Sequence, residues 1–163
     1  MLRNEIWEEM KATKTNSLCC QNYTDKSRKR NRLYNILLVG IATIGAPAFF
    51  LNHWCAFITT IIVAIGEFFK NFVPLISQPE KELCNIDDIN KFYNELLVKL
   101  EDLWDKSELK TQDENNIRKQ FTQLRKNSSQ PCVEMNKLIH HISDKENQRF
   151  MKEADEYLKR KFY

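Results

Sequence analysis

From Leu33 to Leu51 the chain reads LYNILLVGIATIGAPAFFL, nineteen residues without a charged side chain. As a helix such a run reaches about 28 Å, close to the ~30 Å of hydrocarbon in a bilayer. Asn52, His53 and Trp54 follow, and CAFITTIIVAIGEFF then resumes the apolar run with Glu67 as its only charge. Two helices that are apolar on every face, joined by so short a turn, predict a hairpin with no side suited to water. The roughly eighty residues that remain are too few to wrap it in a protein shell, so lipid is the expected surround.

Charge sets the expected orientation. Before Leu33 there are eight Lys/Arg against four Asp/Glu, and from Glu80 onward sixteen against seventeen. Lys26, Arg28, Lys29, Arg30 and Arg32 crowd the entry to the first apolar run and Lys70 and Lys81 follow the second, while the connecting turn holds neither Lys nor Arg. Positive flanks mark the cytosolic side, so both termini are expected in the cytosol. The sequons at Asn22 and Asn127 then face the wrong compartment for glycosylation and read as chance matches.

The fold class expected is all-α, with three regions: an amphipathic basic N-terminal helix over 1–32, a transmembrane hairpin over 33–73 and a cytosolic helical domain over 80–163. In the first, Ile6, Met10, Leu18 and Tyr23 form a sparse stripe that Trp7 reinforces. After Pro74 and Pro79, Ile86, Ile89, Tyr93, Leu96, Leu100 and Leu103 alternate spacings of three and four, the pattern of a coiled-coil seam on an exposed helix and a device for self-association. Asn85 and Asp88 stand where an N-cap and its reciprocal partner are expected. A second helix carries Ile117, Phe121 and Leu124, the stretch Asn127 to Pro131 reads as a loop, and a third helix begins near Val133 and carries Leu138, Ile142, Phe150, Ala154 and Leu158.

Enzyme chemistry is not expected. The three glycines, Gly40, Gly45 and Gly66, all lie inside the apolar block, leaving no phosphate-cradling loop elsewhere. Adjacent His140 and His141 project about 100° apart on a helix and cannot make the i, i+4 clamp of a metalloprotease. Cys19, Cys20, Cys55, Cys84 and Cys132 contain no CxxC pair, so reduced structural thiols are expected, with no metal and no cofactor. Small side chains in the block have a packing use instead: Gly40, Ala42, Gly45 and Ala46 let membrane helices approach closely, and Pro47 can kink the first span. Thr43, Thr59, Thr60 and Glu67 are its polar side chains, candidates for a pore lining, although a threonine can equally bond back to its own helix and Glu67 can reach water. A single hairpin encloses no water path, so a pore needs several copies. The cluster Lys26, Arg28, Lys29, Arg30 and Arg32 suits anionic lipid or, repeated around an oligomer axis, a nucleotide or single-stranded oligonucleotide, with Tyr23 and Tyr34 available for stacking.

The layout of a short N-terminal helix with Trp7, the stretch KSRKRNRLY, a tight two-span hairpin and a charged helical tail resembles the SLATT class of two-span effectors of bacterial anti-phage defence. In lacking a sensor domain it is similar to the Hailong-type membrane effectors. That resemblance implies a homo-oligomeric channel, such as a tetramer, in the bacterial inner membrane. It further implies gating by a nucleotide or oligonucleotide made by a partner nucleotidyltransferase, with membrane depolarisation and growth arrest as outputs. From other classes, a phage holin-like lysis protein and a membrane-anchored helical interaction protein are the alternatives; the long tail argues against the first.

Overall fold

The computed structural model describes residues 2–51, 53–72 and 78–163, with the side chains of 42, 44–51, 53, 55, 56, 67 and 69–72 outside that description. Every described element is an α-helix: α1 Leu2–Leu51, α2 His53–Phe72, α3 Glu80–Glu108, α4 Glu114–Leu138 and α5 Asp144–Phe162. The chain is therefore all-α. It divides into two compact units, Met1–Tyr23 with Asn85–Tyr163, and Thr24–Cys84.

The N-terminal segment and the first apolar run are one helix of 50 residues. Along it Ile6, Met10, Thr13, Ser17, Cys20, Thr24, Ser27, Asn31, Tyr34 and Leu38 alternate spacings of four and three, which keeps them on one face. All are buried except Asn31 and Tyr34, which are half-buried. Much of this stripe is small and polar, so it does not show as hydrophobic periodicity.

In the first unit that stripe packs into a bundle with α3, α4 and α5. Ile86, Ile89, Tyr93, Leu96, Leu100 and Leu103 are all at most 7% exposed. This corrects the expectation of an exposed self-association seam: the α3 side chains are consumed by the bundle of their own chain, so they offer nothing to a second copy. Phe121 on α4 and Phe150, Ala154 and Leu158 on α5 complete the core. At one end Trp7 and Trp104 pack at 5.2 Å between ring centroids, with Phe162 against both.

Helix boundaries depart from expectation at three places. α3 begins at Glu80, with the Pro79 carbonyl accepting from the amides of Glu82 and Leu83, which leaves Asn85 and Asp88 inside the helix. Proline's fixed φ suits the residue just before a first turn, and Glu80 and Glu82 meet the positive end of the helix dipole. Asn127 to Pro131 is helix rather than loop, because α4 runs through Pro131. Proline removes one amide there, while the Ser128 and Ser129 hydroxyls donate to the Arg125 and Lys126 carbonyls at 2.8 Å, a local bonding that eases the distortion. The last helix starts at Asp144 rather than near Val133, set by a capping box between Ser143 and Glu146. His140 and His141 consequently lie in the linker before α5. Between α3 and α4, Lys110 takes φ 50°, and the Thr111 amide donates to the Lys106 carbonyl, the closure of a Schellman turn.

Candidate functional site

Within Thr24–Cys84 the two apolar helices meet at Gly66. Tyr34 Oη donates to the Gly66 carbonyl at 2.6 Å, and a Cβ at position 66 would stand 2.6 Å from Leu38 Cδ2 and 3.3 Å from Tyr34 Oη. Any larger residue there requires the Leu38 side chain to move. The close approach expected of the glycines is thus made within the chain by Gly66; Gly40 is exposed and a Cβ there would meet nothing within 4 Å. The side chains of Ala42, Ala46 and Glu67, like position 45, lie outside the description. Thr43 is exposed and its hydroxyl donates to the Val39 carbonyl at 2.8 Å, satisfying itself on its own helix. Thr59 is half-buried and Thr60 exposed.

Large apolar side chains cover the outside of this unit. Leu33, Ile36, Leu37 and Val39 on α1 and Trp54, Phe57, Ile58, Ile61, Ile62, Ile65 and Phe68 on α2 are exposed, from 40% at Ile61 to 72% at Trp54. Large exposed apolar patches mark surfaces that meet another protein or a membrane. Among the described residues no helix is long and apolar enough to cross a membrane; much of the two apolar runs lies outside that description.

The basic cluster does not act as one group. Arg28 is held on α3, with Nε and Nη2 3.1 and 2.9 Å from Glu80 Oε1. Beside it Asn31 Nδ2 donates to the Gln78 carbonyl at 2.8 Å, and Gln78 Nε2 to Glu82 at 3.1 Å. Together these tie α1 to the start of α3. Lys26, Lys29, Arg30 and Arg32 are exposed, and Lys29, Arg30 and Arg32 come immediately before the exposed Leu33, Ile36 and Leu37 on the same helix. A cationic collar therefore borders the apolar surface. Of the aromatic side chains considered for stacking, Tyr34 is engaged with Gly66 and Tyr23 is half-buried.

The bundle holds polar groups too, and several of them are hydrogen-bonded to one another. Glu101 is 7% exposed and accepts from Tyr157 Oη at 3.0 Å and Lys161 Nζ at 2.6 Å. The bond to Glu101 holds the Lys161 ammonium above its usual pKa, and burial, followed by the same carboxylate, raises Tyr157. Ser17 Oγ lies 2.7 and 2.9 Å from the side-chain oxygens of Asn90 and Asn94. Having one proton, the hydroxyl can donate to only one of them at a time. Burial pushes the Cys19 thiol up to about 11 and the Cys20 thiol to about 12, so neither is a nucleophile at neutral pH. Among the described residues no three His, Cys, Asp or Glu side chains are grouped to hold a metal ion.

On α4, Arg125 leans to Glu9 at 3.7 Å, while Arg118, Lys119 and Lys126 line the outer face, opposite buried Ile117 and Phe121. No family model, curated protein or solved structure matches this chain.

Proposed function

We propose that the chain is a membrane-embedded pore effector, in which the α1–α2 hairpin inserts into a bacterial inner membrane and several copies together enclose a conducting path. The observation that carries this reading is the exposed apolar surface from Leu33 to Val39 and from Trp54 to Phe68, for which hydrocarbon is the compatible solvent. The collar of Lys29, Arg30 and Arg32 then lies at the headgroups, where each basic side chain near an anionic leaflet contributes about 1 kcal/mol. Exposed Gly40, free of contacts within the chain, leaves a small position for a neighbouring copy. The layout shared with SLATT effectors supports a role in anti-phage defence, with a nucleotide-type ligand shifting the balance between closed and open assemblies through different affinity for each. Both termini lie in the cytosol under this reading.

A voltage-sensitive dye in bacteria induced to express the chain alone tests it. Rapid depolarisation by the wild type, absent from the Gly66→Leu variant, is the expected result. No depolarisation by a chain confirmed to be in the membrane counts against the pore.

A second reading is favoured by one observation. Because the α3 seam is consumed inside its own bundle, the assembly device that a pore would have used is gone, and the hairpin could serve only as an anchor for the bundle. Replacing residues 33–72 with an unrelated hairpin separates the two, since an anchor tolerates the exchange and a pore does not.

A further inference from the structure

The outer face of α4 differs from the exposed faces of α3 and α5. On α5, Arg149 pairs with Glu153 at 3.2 Å, Lys152 with Glu156 at 3.8 Å and Lys159 with Asp155 at 2.6 Å. On α3, Lys91 pairs with Asp88 and Lys106 with Asp102. Those are ordinary solvated faces, with these five cations answered one turn away. From Asn115 to Val133 there is no Asp or Glu at all. Among the described residues, Arg118, Lys119 and Lys126 have no ion pair, and they line an open hollow of about 890 Å³ with Thr122, Gln123 and Asn127.

We infer that this face binds a linear chain of phosphates, either the backbone of a single-stranded oligonucleotide or inorganic polyphosphate. Charge complementarity requires an anion, since three cations held on one face repel each other until one arrives. The hollow is lined by no large apolar or aromatic side chain, so it lacks the buried anchor on which protein partners depend. It also lacks a ring on which bases could stack, so recognition is by the backbone and blind to sequence. From Arg118 to Lys126 the helix advances about 12 Å, the rise of three or four nucleotides along one strand. The amides of Gln123 and Asn127 can donate to phosphate oxygens between the cations. The Lys29, Arg30 and Arg32 collar is a separate site suited to headgroups, and the α4 inference does not depend on the hairpin forming a pore.

The test uses the full chain in nanodiscs of zwitterionic phosphatidylcholine and the fluorescence anisotropy of labelled oligothymidylate of about twelve nucleotides. With three cations engaged, log affinity should fall with log salt at a slope of about −2, roughly a fifteenfold loss for a fourfold rise in salt. The Arg118→Gln/Lys119→Gln/Lys126→Gln variant should bind at least about tenfold more weakly at low salt with a slope near zero, and its helicity should be unchanged. The Lys29→Gln/Arg30→Gln/Arg32→Gln variant should bind as the wild type does. Competition by inorganic polyphosphate but not by mononucleotide supports a phosphate chain, and its potency relative to oligothymidylate tells which source is preferred. Undiminished binding by the α4 variant overturns the inference. So does its loss in the α1 variant, or an α4 face that answers only to vesicles of anionic lipid.

Discussion

The bundle and the hairpin share one uninterrupted helix yet solve opposite problems. In Met1–Tyr23 and Asn85–Tyr163, large apolar side chains point inward and ion pairs lie on the outer faces of α3 and α5; in Thr24–Cys84, small and polar groups such as Ser27 and Gly66 make the contact between helices while leucines and isoleucines face out. One stripe on α1, from Ile6 to Leu38, serves both units by changing from large apolar residues to Thr, Ser and Cys and back. A helix contact made through small residues draws its strength from close packing and backbone proximity rather than from removing apolar area from water, as expected where the surround is itself apolar.

The contrast can be broken by substitutions that act on one unit only. Leu100→Ala leaves a cavity in the bundle and should cost about 2–5 kcal/mol, read as earlier thermal unfolding of the bundle with the hairpin's protease protection in nanodiscs unchanged. Gly66→Leu should do the reverse. It forces the side chain into Leu38 and Tyr34 and should cost about 1–3 kcal/mol of helix pairing, read as lost protection of the hairpin while the bundle melts as before. Equal damage to both units by either substitution would mean that they do not behave as separate bodies.

Alkaline pH sharpens the same contrast. The native thiols of Cys19 and Cys20 are held up to about 11 and about 12 from an ordinary 9.0. The unfolded chain therefore releases protons first, so bundle stability falls as pH rises from 9 toward 11 or 12. Lys161 acts in the same direction. Its raised value means that the stabilisation from Glu101 is present below the ordinary lysine pKa and lost as pH rises through the raised one. Denaturant melts across that range should show a steady decline for the bundle. At neutral pH, alkylation mapped by mass spectrometry should label exposed Cys84 well before buried Cys19 and Cys20.

Smaller effects test single hydrogen bonds and turns. Ser17→Ala should cost about 1 kcal/mol by removing a buried hydroxyl that bonds half-buried Asn90 and exposed Asn94. Lys110→Gly should stabilise the bundle by about 1 kcal/mol, since φ 50° is a left-handed conformation that glycine adopts without strain. Tyr34→Phe should cost about 0.6 kcal/mol, a typical side-chain hydrogen bond between membrane helices.

What the sequence made legible follows the strength of its patterns. The two apolar runs, the all-α class and the α3 seam are strongly periodic or strongly biased, and helices cover both runs and the seam. The meaning of the seam was not legible, because a three-four alternation is the same whether the partner is another copy or the chain's own α1. Its partner stripe was hidden in Thr13 and Ser17, which hydropathy counts as polar although both are buried. Pro131 and the two serines before it spell a loop locally, and packing of Ile117, Phe121 and Met135 on one face overrides that local preference. The basic cluster was legible as composition only. Which cation pairs with Glu80 and which face α4 leaves without acids are matters of three-dimensional neighbourhood.

The proposal that the α1–α2 hairpin lies in hydrocarbon is tested by alkaline carbonate extraction of membranes from bacteria expressing the full chain. The protein should stay with the membrane pellet. Release of the intact chain into the supernatant would contradict it.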